Sequence, residues 1–321
     1  MDRDANVLIT GGAGYIGTTL ATMLNDLGYN VTILDNLMYG QSQALFGLCQ
    51  RASKGGGIKF VHADLKEFTS VEKLVSLAKS HGTIIPLACL VGAPLCNENP
   101  AAAWRVNYDH IKTLIDEADG AKILYPTTNS GYGIGGVGMV DETSPLNPLS
   151  VYGETKVAAE KAVITYGGIA FRLATVFGAS PRMRTDLLVN DFVWRAKRDK
   201  AIVLFESHFR RNYIHIKDVC QAFLHGIENY GQMQKNIYNV GMSSANLSKL
   251  ELANKVKDQI PGTVIIESQI GSDPDKRDYL VSNAKLEATG WLPEYTIEDG
   301  IEEVSMLYDV VKAGGDTTRN Y

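Results

Sequence analysis

A short apolar run, Asn6-Val7-Leu8-Ile9-Thr10, passes directly into Gly11-Gly12-Ala13-Gly14-Tyr15-Ile16-Gly17 and then into a segment of helical length ending near Leu27. Glycines at 11, 14 and 17 allow a tight turn, a close approach of backbone to a pyrophosphate, and close packing of helix on strand. A helix starting there offers free N–H groups and a partial positive charge to phosphate oxygens. Glycine triplets recur in many loops. Its place between a first strand and a helix is what makes this one a dinucleotide-binding turn.

The pattern that follows agrees with such a start. Val31–Leu34, Ile58–Val61, Thr83–Leu87, Lys122–Tyr125 and Ile169–Leu173 read as further buried strands, separated by helix-length segments. Strands alternating with helices imply parallel crossovers and a sheet covered on both faces. The expected fold class is therefore α/β, a Rossmann-type doubly wound parallel sheet with ligands at the carboxyl ends of its strands. Residues 52–57, Ala-Ser-Lys-Gly-Gly-Gly, read as a surface loop. After Gly178 the texture changes: a cationic loop, Ser180-Pro181-Arg182-Met183-Arg184, precedes strands at Ala201–Phe205 and Thr263–Ile266 among shorter helices. We expect an NAD-binding domain over 1–178, with returning segments near 212–242, and a smaller mixed α/β substrate-binding domain mainly over 179–321.

Composition limits the function classes. With 321 residues, 45% hydrophobic and 21% charged, the chain is globular and long enough for a large core. A net charge of −5 offers no footprint for a nucleic-acid backbone. No apolar run is long enough to span a bilayer, and the start, Met1-Asp2-Arg3-Asp4, lacks the basic opening of a signal peptide. A cytoplasmic location is expected, with neither nucleic acid nor membrane as partner. The four cysteines, Cys49, Cys89, Cys96 and Cys220, match no common zinc spacing, so no metal site is expected. Cys89 and Cys96 flank a loop expected near the cofactor, where a reactive thiol and a small buried apolar side chain are the two readings.

Asp35 closes the second strand. A carboxylate there accepts both ribose hydroxyls of NAD and repels the extra phosphate of NADP, and Asn36 stands where a phosphate binder would use arginine. Asp64, after the third strand, either touches the adenine edge or serves a turn. At the other end, Tyr152-Gly153-Glu154-Thr155-Lys156 sets a phenol and an ammonium four apart, on one face of a helix. A free tyrosine, with a pKa near ~10, is a poor base at neutral pH, and a fixed cation beside it favours the phenolate. Lowering that pKa by about three units needs roughly 4 kcal/mol, plausible for Lys156 together with a positive nicotinamide ring. A hydroxyl in Pro126-Thr127-Thr128-Asn129-Ser130-Gly131-Tyr132-Gly133 could assist the proton, or simply satisfy its own turn.

Together these segments, with Arg172-Leu173-Ala174-Thr175-Val176-Phe177-Gly178, Arg211-Asn212-Tyr213-Ile214-His215-Ile216-Lys217-Asp218-Val219 and Tyr238-Asn239-Val240-Gly241, resemble the extended short-chain dehydrogenase/reductases. Within them the chain resembles the NAD-dependent nucleotide-sugar epimerase/dehydratase family, in order along essentially its whole length. The resemblance implies Tyr152 as general base, Lys156 as its electrostatic partner and Thr128 as the assisting hydroxyl. It implies a cofactor set of Gly11, Gly14, Tyr15, Ile16, Gly17, Asp35, Asn36, Asp64, Leu65, Leu87 and Ala88, with Tyr152 and Lys156. On the substrate side it implies Asn107, Asn129, Ser130, Thr175, Arg182, Arg184, Asn190, Arg211 and Arg277, the arginines suited to a nucleotide diphosphate by their planar fork. A homodimer through the helices near Pro100–Leu114 and Val151–Thr165 is implied in the same way.

The family's 4,6-dehydratases carry Asp-Glu directly after the active threonine. Here Asn129 and Ser130 occupy those positions and supply no carboxyl group, which disfavours dehydration. Oxidoreduction at C4 remains; the expected reaction is that of a C4 dehydrogenase/reductase, which releases or takes up the keto-sugar, and a 4-epimerase, which returns it, is the alternative. Residues 85–96 and 180–192 depart from UDP-galactose epimerases and resemble a bacterial surface-polysaccharide subgroup that includes C4 dehydrogenases of GDP-manno-heptose.

Overall fold

The computed structural model describes residues 3–52, 57–133, 138–268 and 278–310. Within these, seven strands form one parallel sheet. They are β1 (Asn6–Thr10), β2 (Asn30–Asp35), β3 (Ile58–His62), β4 (Thr83–Pro86), β5 (Lys122–Thr128), β7 (Ile169–Leu173) and β11 (Asn236–Val240), and β6 (Met139–Val140) lies outside it. Their spatial order is β11-β7-β5-β4-β1-β2-β3. From β1 the chain first adds β2 and β3 on one side, then returns to place β4 on the other. That reversal opens a crevice beyond Thr10 and Pro86, where adjacent connections diverge to opposite faces.

The apolar runs are continuous because both faces are covered. Along β1, Val7 and Ile9 face a core that includes Leu20 and Leu24 of the helix Tyr15–Asp26 and Val219 and Phe223 of the helix Ile216–Glu228. Leu8, pointing the opposite way, packs with Leu74, Ile111, Leu114, Ala159 and Val163 from three other helices. Every residue of β4 and β7 is buried. At the sheet's edge β3 departs from this pattern: Lys59, Phe60 and His62 are exposed, and among the described residues only β2 pairs with it.

After β7 the chain leaves the sheet at Ala174, and β8 (Thr175–Phe177) pairs with β10 (Arg210–His215), which also pairs with β12 (Asn246–Ser248). Two small parallel pairs complete the described strands: β9 (Ala201–Phe205) with β13 (Val264–Ser268), and β6 with β14 (Leu280–Val281). The core on the Val7 face continues into this part through Phe192, Ile202, Leu252, Ile301 and Val304. Of the loop expected over 52–57, residues 53–56 lie outside the described residues, and Ala52 ends the helix Phe46–Ala52. No helix among the described residues is long and apolar enough to cross a membrane.

Candidate active site

At the carboxyl ends of β1, β4 and β5 lies a cavity of about 840 Å³. Its floor is the glycine turn. Gly11 has φ +69°, and a Cβ there would lie 2.5 Å from the Ala88 amide nitrogen. A Cβ on Gly17 would lie 2.6 Å from the Gly12 Cα, so neither position admits a side chain without moving backbone. The helix begins at Tyr15 with Gly14 as N-cap and no side-chain cap, leaving its first N–H groups for a ligand. Asp35 stands beside them. One carboxylate oxygen accepts from Ala13 N at 3.0 Å and the other from Leu37 N at 2.8 Å. Burial pushes its carboxyl up from the ordinary range, and those two N–H groups oppose the rise. Asn36 Nδ2 donates to Asp64 Oδ2 at 3.0 Å, tying the ends of β2 and β3. A cradle that a Cβ would fill, with a carboxylate at the ribose position, fits a dinucleotide.

The opposite end is built on the helix Val151–Tyr166, capped by Ser150, whose side chain accepts from Gly153 N, and ended by Gly167 at φ +111°. Tyr152 and Lys156 both reach the same cavity. Lys156 is 5% exposed, and its Nζ donates to the Pro126 carbonyl at 2.5 Å while lying 4.1 Å from the centre of the Tyr125 ring. Burial lowers its pKa, with the Glu160 carboxylate pulling the other way. Thr128, the last residue of β5, donates through Oγ1 to Ser130 Oγ at 2.9 Å and accepts from Ser130 N at 3.1 Å. The dinucleotide turn, phenol, ammonium and hydroxyl therefore share one chamber.

Nineteen of the sequence-derived site residues line it: Gly11, Gly14, Tyr15, Ile16, Gly17, Asp35, Asn36, Asp64, Leu65, Leu87, Ala88, Thr128, Ser130, Tyr152, Lys156, Thr175, Arg182, Arg184 and Arg211. Three described ones do not, and each has a physical reason. Asn107 accepts from Leu90 N at 2.8 Å and donates to Leu90 O and to Thr155 Oγ1, so its amide fastens the loop after β4 to the helix Val151–Tyr166. Asn190 accepts from Gly178 N at 3.1 Å and donates to Arg184 O at 2.9 Å, shaping the cationic loop from behind. Asn129 is buried away from the chamber, and its amide finds no partner among the described residues. Arg277 lies outside the described residues.

Tyr39 and Cys89 line the chamber without having been expected as ligand contacts. Nothing in the sequence aims Tyr39 inward; that depends on the turn after β2. Cys89 and Cys96 both donate to the Leu90 carbonyl, and burial pushes the Cys96 thiol up to about 11. Both stay protonated near neutral pH, which favours the packing reading over the reactive one. All four cysteines are free. Among the described residues no group of three His, Cys, Asp or Glu could hold a metal ion.

The cationic loop after Gly178 is held from outside the chamber. Glu303, on the helix Ile297–Val310, accepts from Ala179 N at 3.0 Å, from His215 Nε2 at 2.9 Å and from Lys217 Nζ at 2.5 Å. Burial alone would raise its carboxyl, but these hydrogen bonds outweigh burial and hold it at about 2. A carboxylate with a depressed folded-state pKa contributes stability fully above its unfolded value, near 4.5, and loses it as pH falls through about 2. The contribution is up to about 3 kcal/mol. Glu303→Gln should therefore cost stability at pH 7 and progressively less toward pH 3, read as the difference between the two denaturation midpoints. A difference that stays constant from pH 7 to pH 3 would sink this account.

Residues 7–241 match the model of the NAD dependent epimerase/dehydratase family. The chain is similar to the low-salt glycan biosynthesis protein Agl12 of Haloferax volcanii, 29% identical over 315 residues, covering 92% of this chain and 96% of that protein. It is also similar to the UDP-glucose 4-epimerase of Corynebacterium glutamicum, 26% identical over 334 residues, covering 94% and 97%. In structure it resembles the UDP-glucuronic acid 4-epimerase of Bacillus cereus, with a TM-score of 0.83 and 21% identity over 95% of this chain and 100% of that one.

Proposed function

The chain belongs to the NAD-dependent epimerase/dehydratase family, and from that premise we propose that it oxidises the C4 hydroxyl of a nucleotide-diphosphate sugar. One observation carries the proposal: Tyr152 and Lys156 line the same chamber as the glycine turn and Asp35, with Arg182, Arg184 and Arg211 in its walls. The helix N-terminus at Tyr15 and Asp35 would hold the dinucleotide, whose nicotinamide supplies the hydride acceptor. Tyr152 takes the proton of the sugar hydroxyl through its phenol oxygen as the carbon–hydrogen bond breaks. Lys156, fixed by the Pro126 carbonyl, stabilises the phenolate before that transfer. Thr128 and Ser130 share a hydrogen bond at the end of β5, and either hydroxyl can orient the reacting oxygen. Arg184 and Arg211 suit the substrate diphosphate.

For the net outcome we favour 4-epimerisation, in which the bound keto-sugar is re-reduced on its other face, because relatives named as UDP-glucose 4-epimerases align along almost their full length. Release of the keto-sugar, as by a C4 dehydrogenase/reductase acting on GDP-manno-heptose in surface-polysaccharide synthesis, is the second reading. It is supported by the departures over 85–96 and 180–192, parts of which line the chamber. The division of labour, a dinucleotide-binding part up to 178 and a sugar-nucleotide part mainly beyond it, belongs to the same proposal. So do a cytoplasmic location and a homodimer through the helices around 100–114 and 151–165, the first of which exposes Trp104; sedimentation velocity tests the assembly.

Mass analysis together with proton NMR of the products, after incubation with UDP-, GDP-, CDP- and dTDP-sugars, separates the outcomes. An unchanged formula with inverted configuration at C4 is the expected result. A product two mass units lighter establishes the dehydrogenase reading. Loss of water would overturn the proposal, since it requires an acid that Asn129 and Ser130 do not supply.

A further inference from the structure

The three described arginines of the chamber do not have the same surroundings. Arg184 is engaged by Asp186, whose carboxylate takes its Nε at 3.2 Å and its Nη2 at 2.5 Å. Arg182 is 3% exposed, and its guanidinium carbon stacks 4.6 Å from the centre of the Tyr39 ring. Its Nη2 and the Tyr39 hydroxyl are buried, and neither makes a hydrogen bond among the described residues. Both residues line the chamber. A guanidinium taken out of water with an unused donor is costly unless something else accepts from it.

The backbone around Arg182 shows which end of the chamber it serves. Ser180 Oγ donates to the Tyr15 carbonyl at 2.7 Å and lies 3.2 Å from Thr18 Oγ1, while the Tyr15 hydroxyl donates to Gly178 O at 2.7 Å. Arg182 N in turn donates to Ser180 Oγ at 3.3 Å. The loop is thus stitched to the first turn of the helix that follows the glycines, and Tyr39 stands four residues beyond Asp35. Asp35 and Arg182 are near enough that each carries the other's charge in its environment. These contacts put Arg182 on the side of the chamber where the helix N-terminus and Asp35 stand.

We propose that Arg182, backed by Tyr39, is a dinucleotide-binding residue: its free N–H donates to a phosphate or ribose oxygen on the adenosine side, closing that subsite opposite the helix N-terminus. This rests on the reading of the turn as an NAD site and moves Arg182 out of the substrate set, leaving Arg184 and Arg211 there. Arginine suits the place because its planar fork stacks on a ring and donates sideways at once.

Calorimetric titration of the full chain with ADP-ribose, which carries the adenosine and both phosphates but no nicotinamide, tests it. Whichever of UDP or GDP binds the unmodified protein serves as the comparison. Arg182→Gln should weaken ADP-ribose about tenfold or more while leaving UDP or GDP within twofold, and Arg182→Lys should recover part of the loss. Weakening of UDP or GDP alone overturns the assignment, as does an equal loss of both ligands or of neither. If the unmodified chain binds neither NAD nor ADP-ribose, the dinucleotide reading itself fails, and with it this one.

Discussion

Tyr152→Phe is expected to lower turnover by about 10³-fold or more and leave NAD affinity within twofold, because the substitution deletes one oxygen and keeps the ring. The hydroxyl proton of the sugar then loses the acceptor assigned to it. Lys156→Met should lose a similar factor for a different reason. Its ammonium is buried against the Pro126 carbonyl and the Tyr125 ring, where a charge acts on a neighbouring phenol with little screening by water. The two variants separate in their pH profiles. The lysine variant should regain rate at high pH as the phenol ionises unaided, whereas the phenylalanine variant has no such limb. Near-normal turnover in Tyr152→Phe would remove the phenol from its role. A flat profile in Lys156→Met would confine the lysine to structure.

The parts of this site legible in the sequence are those set by local spacing. Glycines at 11, 14 and 17 need a particular backbone, which is why their pattern survives translation into structure with Gly11 at φ +69°. Tyr152 and Lys156 share a face because four residues make about one helical turn. Six of the sheet's seven strands are readable as apolar runs, but not β11, whose Asn236-Ile237-Tyr238-Asn239-Val240 mixes polar with apolar residues. Nor would that rule mark β3 as an edge, because strand order is decided by crossovers between distant segments. The exposed Lys59 and Phe60 of β3 become intelligible once β2 is seen to be its sole partner among the described residues.

Side-chain aim was not legible, and the three asparagines show why. Asn107, Asn129 and Asn190 each lie within a few residues of a chamber-lining segment, but where each amide points is settled by contacts with Leu90, with buried surroundings and with Gly178. Arg182 presents the same problem on a larger scale. A cation in a loop after Gly178 suits either of two diphosphates; what assigns it is the contact of Ser180 with Tyr15, 165 residues earlier in the chain. Glu303 lies beyond the span matching the family and gives no motif, yet it holds the amide of Ala179. Such long-range hydrogen bonds have no spacing rule.

Glu160→Ala should cost about 3–5 kcal/mol of stability, the cost of leaving a buried cation without its partner. Glu160, one turn beyond Lys156, and Arg172 on β7 are 2% and 3% exposed and meet in a two-pronged pair, Nε to Oε2 at 3.0 Å and Nη2 to Oε1 at 2.7 Å. Arg172 Nη1 also donates to the Tyr132 hydroxyl at 2.9 Å, and that hydroxyl donates to Asn239 Oδ1 at 2.8 Å. One guanidinium thereby fixes the catalytic helix, the turn after Thr128 and strand β11 in a single register. The uncompensated charge in Glu160→Ala should loosen all three, so turnover should fall along with the urea midpoint. Replacing both partners, Glu160→Met with Arg172→Met, removes the charge instead of stranding it and should recover more than half of the lost stability. Turnover should recover less, because methionines fill the volume but leave Tyr132 without its donor and the turn bearing Ser130 less firmly placed. If the single variant costs under about 1 kcal/mol, the pair does not brace the catalytic helix. If the double variant regains full turnover, packing volume alone sets the register, and the hydrogen bonds to Tyr132 are incidental to the chemistry.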